Sequence, residues 1–226
     1  MNYRVEQKYI ITADQLAFLR YQLEQVMDYD AYAAEGMYTI RSLYFDDLYD
    51  SCFQANEAGE DFREKYRIRT YNNEKKVIHL EIKAKEYGYT KKVKTRLSLQ
   101  ECSRLIEGKQ LDWKEEDDFV KKKFCATRLL RRLQPVQIVE YERIPFTDSR
   151  GNVRITLDCN ISGSRETKAF WEDILPAVPI LSEGQHILEV KYDEFLPLHL
   201  KKILNQINLQ KTAFSKYYYA RLSPLQ

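Results

Sequence analysis

Residues 63–97 read REKYRIRTYNNEKKVIHLEIKAKEYGYTKKVKTRL, and Lys or Arg falls on every second position through three parts of this stretch. Lys65-Arg67-Arg69 alternate with Tyr66 and Ile68, Lys83-Lys85 follow Leu80-Glu81-Ile82, and Lys92-Lys94-Arg96 end the run. Side chains along a β-strand point alternately to opposite faces, so each part puts its cations on one face and its apolar residues on the other. Between Arg63 and Arg96 twelve Lys/Arg stand against four Asp/Glu, a local charge of +8. The whole chain is only +2, so the remainder carries −6. The cations are gathered onto a few neighbouring strands, as a site for a polyanion requires.

Outward from this stretch the same period recurs, giving strands at residues 3–11, 38–46, 63–72, 77–87, 89–97, 136–146, 153–159 and 186–193. The charged faces read Arg4-Glu6-Lys8, His79-Glu81-Lys83-Lys85, Tyr141-Arg143, Arg154-Thr156-Asp158 and Glu189-Lys191. The opposite faces read Val5-Tyr9, Tyr66-Ile68, Leu80-Ile82, Val153-Ile155-Leu157 and Leu188-Val190, which suits packing against helices. Thr12-Ala13-Asp14-Gln15 and Ser98-Leu99-Gln100-Glu101 fit the capping box, the first opening a helix to about Met27 and the second one to about Glu107. Residues 117–133 have acids first and cations last, as a helix dipole favours, and a further helix runs from Pro197 to about Gln206. Lys121-Lys122-Lys123, Arg128, Arg131 and Arg132 are expected on a solvated helix face, and residues 148–152 form a hairpin loop.

This pattern predicts a single domain over residues 1–226 of α+β class. Eight antiparallel strands would form a tunnel barrel with a charge-lined interior and helices packed outside. A one-sided sheet with a merely solvated charged face is the competing arrangement, and the bias shared by at least five strands favours the barrel.

Composition excludes several classes. No apolar stretch approaches the roughly 20 residues of a membrane span, and MNYRVEQKY lacks the apolar core of a signal peptide. Cys52, Cys102, Cys125 and Cys159 are far apart with no CxxC pair, so buried thiols in a reducing, cytoplasmic setting are expected. His79, His186 and His199 show no zinc-ligand spacing, and there is neither a Walker A P-loop nor a kinase Gly-rich loop. Tyr66, Tyr71, Tyr87 and Tyr89 among basic strands could suit single-stranded nucleic acid. Cations on inward faces would not admit a duplex, and no nucleic-acid partner is expected.

At these residues the chain resembles the VTC (vacuolar transporter chaperone) domain family, within the triphosphate tunnel metalloenzyme fold. The resemblance rests on Glu6-Gln7-Lys8-Tyr9, Ile40-Arg41-Ser42-Leu43-Tyr44-Phe45-Asp46, Arg67-Ile68-Arg69, Leu80-Glu81-Ile82-Lys83 and Tyr141-Glu142-Arg143. Val153-Arg154-Ile155-Thr156-Leu157-Asp158, Leu188-Glu189-Val190-Lys191 and Ser215-Lys216-Tyr217 complete it. It implies a tunnel barrel of eight antiparallel strands and, in the eukaryotic members, ATP-dependent synthesis of inorganic polyphosphate, a transferase activity. It further implies phosphate-binding cations at Lys8, Arg67, Arg69, Lys83, Arg143, Arg154 and Lys216, with one of Lys92 and Lys94 adding another. Tyr141 and Ser215 match positions that hydrogen-bond phosphates, and Glu189 matches the acidic residue that holds a divalent metal, Mn²⁺ or Mg²⁺.

Three departures qualify the resemblance. Lys85 stands where the eukaryotic polymerases tend to carry His. The regulatory SPX domain and membrane helices of those proteins have no counterpart in this sequence, so export through a membrane partner is not supported by this chain alone. The hydrolytic branch of the fold carries an ExExK strand, whereas Arg4-Val5-Glu6-Gln7-Lys8 replaces the first Glu with a cation and disfavours that branch. Glu6 and Glu81 are candidate further metal ligands or internal counter-ions. The expected ligands are ATP and polyphosphate or triphosphate. Metal-dependent hydrolysis of triphosphate or tripolyphosphate and non-catalytic polyphosphate binding are the alternative functions.

Overall fold

The computed structural model describes residues 5–33, 35–87 and 89–223. Arg4, assigned above to the first charged strand face, lies outside the described residues. The chain begins with β1 (Val5–Thr12), α1 (Ala13–Glu24), β2 (Asp28–Tyr29), β3 (Tyr38–Asp46) and α2 (Ser51–Glu57). It continues through β4 (Arg63–Tyr71), β5 (Ile78–Glu86), β6 (Tyr89–Leu97), α3 (Leu99–Ile106) and α4 (Phe119–Arg131). Then come β7 (Gln134–Asp148), β8 (Val153–Ser164), β9 (Val178–Pro179), β10 (Gln185–Tyr192), α5 (Leu198–Leu204) and α6 (Lys216–Leu222). Eight principal strands with helices on their apolar side make the α+β class that the alternating pattern predicts.

Two compact units divide the chain. The first comprises the chain up to Thr39, Tyr141–Ile161 and Pro179–Ser215. Its strands follow the order β1-β10-β8-β7, and the short β2 adds to β7. Register places Lys8 opposite Glu189, Glu6 opposite Lys191, and Glu189 opposite Thr156, so these side chains share one face. The other face is apolar: Ile155, Leu157, Leu188 and Val190 are buried against Leu19 and Leu23 of α1 and Leu200, Ile203 and Leu204 of α5. Each such fully buried aliphatic side chain contributes about 2 kcal/mol relative to exposure, which commits the strands to this facing and leaves the cations on the reverse. Thr12 caps α1 with both halves of its capping box present, and the helix ends at Glu24, one turn short of the expected Met27.

The second unit comprises Ile40–Glu140, Ser162–Val178 and the chain from Lys216 onward. Its strands follow β7-β3-β4-β5-β6, with Arg67 opposite Glu81 and Tyr44, and Glu81 opposite Lys94. Leu43, Phe45, Tyr66, Ile68, Leu80 and Ile82 are buried on the apolar face, where Phe124 of α4 meets Phe45 and Tyr66 edge-on or tilted. Ser98 closes the expected capping box of α3. In α4 the expectation of a solvated cationic face fails at Arg128. That side chain is buried, donating to the carbonyls of Leu133 and Lys109 at 3.1 and 2.6 Å. The chain turns back at Arg132 (φ 55°), which brings the Leu133 carbonyl within reach of a guanidinium from the last helical turn, while the Lys109 carbonyl comes from the segment that follows α3.

Candidate functional site

Charged side chains collect on the polar strand face of each unit. In the second unit Glu81 is the centre. Its carboxylate is 1% exposed and accepts from Arg67 Nε at 2.8 Å. Arg67 Nη2 lies at 2.6 Å, Lys92 Nζ at 3.2 Å and Arg69 Nη1 at 3.8 Å from its oxygens. Burial alone would raise the Glu81 carboxyl, but Arg67, Arg69 and Lys92 together hold it well below the usual carboxylate range. Lys92 is itself pushed down by burial and by Arg69 and Arg67, against the pull of Glu81. Arg67 also donates to the Tyr44 hydroxyl at 2.9 Å and lies over its ring, while Arg69 Nε reaches Ser42 Oγ at 3.3 Å.

The sequence left Lys92 and Lys94 open. Lys94 is the ladder partner of Glu81, but it is Lys92, one pair away on the diagonal, whose ammonium reaches the carboxylate. Lys83 stands opposite Lys65 and Lys92. Lys65 donates to Asn56 of α2 at 2.5 Å and lies over the Tyr217 ring. Lys85 sits apart from the Glu81 cluster, 3.8 Å from Asp61, and borders a cavity of 380 Å³ together with Cys52, Arg63 and Arg131. Lys216 opens α6.

In the first unit Glu189 is the buried carboxylate. Lys191 Nζ, Arg143 Nη2 and Lys8 Nζ lie 3.2, 3.6 and 3.8 Å from it. Burial would raise this carboxyl too, and Lys191, Lys8 and Arg143 hold it well below its ordinary value. Lys8, despite burial that opposes its charge, is raised by Glu189 and Glu6. Glu6 shares both lysines, at 3.3 Å from Lys8 and 3.7 Å from Lys191. Lys8 also donates to the Phe214 carbonyl at 3.0 Å, next to Ser215.

Two carboxylates escaped the sequence reading as partners. Asp158 grips Arg143 through two hydrogen bonds of 2.7 and 2.8 Å, and the guanidinium lies over the Tyr141 ring. Asp30 holds Arg154 at 2.8 Å, and Tyr38 accepts from the same Nη2 at 3.1 Å. Asp158 was visible in the alternation of Arg154-Thr156-Asp158; Asp30 follows a two-residue strand and carries no periodic signal.

A divalent cation would need oxygen ligands. Glu189 and Glu6 supply them from adjacent strands, and the buried Thr156 Oγ1 across the ladder from Glu189 has no hydrogen-bond partner among the described residues. Among those residues no group of three or more His, Cys, Asp or Glu is arranged for a metal. The donor set therefore fits an ion such as Mg²⁺, held by one or two carboxylates and otherwise by phosphate and water. Glu81 fits it less well, because its ladder partners are the cations Arg67 and Lys94, whereas Glu189 has Glu6 on the adjacent strand to share an ion.

The antiparallel α+β fold thus buries one carboxylate among Lys and Arg on the polar strand face of each unit, Glu81 in the second and Glu189 in the first. Among solved structures the chain is similar to a putative adenylate cyclase from Bacillus halodurans, at 14% identity and a TM-score of 0.58 over 95% of this chain and 94% of that one. It is also similar to the PH1819 protein from Pyrococcus horikoshii OT3, at 15% identity and a TM-score of 0.51 over 97% and 98% of the two chains. At such identities the likeness shows the fold alone. No curated protein matches the chain. The VTC domain model matches residues 3–223, and the chain belongs to the VTC domain family.

Proposed function

We propose that this protein is a polyphosphate polymerase-type phosphotransferase that moves the γ-phosphoryl group of ATP onto a growing inorganic polyphosphate chain. The observation that carries the reading is the gathering of Arg67, Arg69 and Lys92 around one buried carboxylate, a surplus of cations held on a strand face in a chain of the VTC domain family. A terminal phosphate oxygen of the acceptor chain attacks the γ-phosphorus, the bond from the γ-phosphorus to its bridging oxygen breaks, and ADP leaves with that oxygen. The attacking group is already anionic, so a strong general base is not needed, and positioning plus charge neutralisation supply the catalysis.

Lys8, Arg67, Arg69, Lys83, Arg143, Arg154 and Lys216 would neutralise phosphate oxygens, the arginines through planar paired contacts and the lysines as point charges. Lys85, Lys92, Lys94, Tyr141 and Ser215 would add contacts to the bound phosphates. Asp158 and Asp30 keep Arg143 and Arg154 oriented. Glu189, with Glu6, would hold Mn²⁺ or Mg²⁺. Such an ion, when bound, offsets charge that develops on the departing diphosphate. The four cysteines are unpaired and buried, which suits a reducing, cytoplasmic setting. Among the described residues no helix is long and apolar enough to cross a membrane.

Incubation of the pure protein with ATP and Mn²⁺, read on a polyphosphate gel, tests the proposal. A ladder that grows with time is expected. Orthophosphate without a ladder would move the reading to a triphosphatase, and bound polyphosphate without turnover would move it to a binding module.

A further inference from the structure

Glu81 and Glu189 are both buried among three cations, yet their charge balance differs. Around Glu189 the cations Lys8, Lys191 and Arg143 are matched by a second and a third carboxylate, Glu6 and Asp158. Around Glu81 the ion pairs of Arg67, Arg69 and Lys92 converge on this one carboxylate. Its ladder neighbours are Arg67 on β4 and Lys94 on β6, so no acidic partner stands beside it on either strand. One side-chain oxygen faces Arg67 and Arg69 and the other Lys92. Two oxygens on a planar anion engaging a guanidinium and an ammonium are what a phosphate group would also offer.

We propose that Glu81 is an internal stand-in for phosphate: it occupies Arg67, Arg69 and Lys92 when no ligand is bound, and a bound phosphate must compete with it. This rests on the reading of the face as a phosphate site. The consequence is selectivity by charge density. A singly anionic phosphodiester or an orthophosphate gains little by replacing a carboxylate that is already well placed. A triphosphate brings enough charge to take the cations over. Glu81 thus lowers affinity for every anion that needs these cations, and a weakly charged one, with fewer contacts to offset that loss, no longer holds the site. It is not a metal ligand.

Calorimetric titration with tripolyphosphate in EDTA tests this on the wild type, Glu81→Gln and Glu64→Gln. Glu64 lies on the neighbouring strand β4, on the face opposite Arg67 and Arg69, where it pairs with Lys123, and serves as a control. Removing one unit charge about 3–4 Å from the cations should tighten tripolyphosphate binding by at least about tenfold in Glu81→Gln, with Glu64→Gln unchanged. Orthophosphate binding should appear or strengthen in the same variant, and Mn²⁺ binding, titrated separately without EDTA, should stay as in the wild type. Should Glu81→Gln be too unstable to titrate, tripolyphosphate should restore its melting transition, and Glu81→Asp, with its carboxylate drawn back, should bind at intermediate strength. Wild-type binding with no gain in Glu81→Gln, no rescue of an unstable variant, or loss of Mn²⁺ binding would each overturn the stand-in role alone. A wild type that binds no tripolyphosphate would overturn the phosphate reading and this inference together.

Discussion

Glu189 and Glu81 occupy the same place in two similar tetrapeptides, Leu188-Glu189-Val190-Lys191 and Leu80-Glu81-Ile82-Lys83, and their neighbours give them different work. Glu189 has Glu6 beside it and opposite it a Thr156 hydroxyl without a hydrogen-bond partner among the described residues, a set of oxygens suited to a hard cation. Glu189→Gln should therefore abolish ATP turnover, by more than about a hundredfold, while polyphosphate still binds in a filter assay. Unchanged turnover would show that the metal sits elsewhere. Both carboxyls also lie below their ordinary value, so between the two values the folded protein binds fewer protons than the unfolded chain. Their contribution to stability is present above the unfolded value of about 4.3 and is lost as pH falls towards the depressed folded values. Thermal melts from neutral pH downward should be nearly flat to about pH 5 and fall steeply below about pH 4. Glu81→Gln should flatten that fall; an identical acid slope in the variant would contradict it.

The helices show where local sequence is enough and where it is not. Thr12 and Ser98 cap α1 and α3 with residues three positions apart, and both boxes are present as expected. The sequence reading assigned no helix at α2, because the start of this helix is satisfied from a distance. Asp46, fully buried at the end of β3, accepts from the backbone N–H of Cys52 and Phe53, while the residue just before the helix, Asp50, sits at φ 54°. The same carboxylate accepts the Tyr217 hydroxyl at 2.5 Å, so one side chain ties α6 as well as α2. Asp46→Ala should cost about 2–4 kcal/mol, read as a lower urea midpoint, whereas Tyr217→Phe should cost about 1 kcal/mol. Equal and small effects in both variants would show that the apolar stack of Tyr44 on Tyr217 alone fixes α6. Arg128 makes the same point in reverse: it looks like surface charge, and only the turn at Arg132 and the segment after α3 bring the carbonyls that it meets.

Over the whole molecule the alternation of charge carries the most information. Period-2 patterning found all eight principal strands, and β3 and β6 fall on the residues expected. Burial explains this, since each strand has one face driven into an apolar core and so records its facing in the sequence. The same alternation put Lys8, Arg67, Arg69, Glu81, Arg143 and Glu189 on polar faces, and the structure brings them into the two clusters, one in each unit. Which cations have partners was not legible, because Asp30 and the diagonal reach of Lys92 depend on three-dimensional register. The central claim is that these cations serve transfer of phosphoryl groups from ATP to polyphosphate. Its most direct test is ³¹P NMR of the protein with ATP and Mg²⁺. The account predicts internal phosphoanhydride resonances that grow in step with ADP; ADP matched by orthophosphate alone would contradict it.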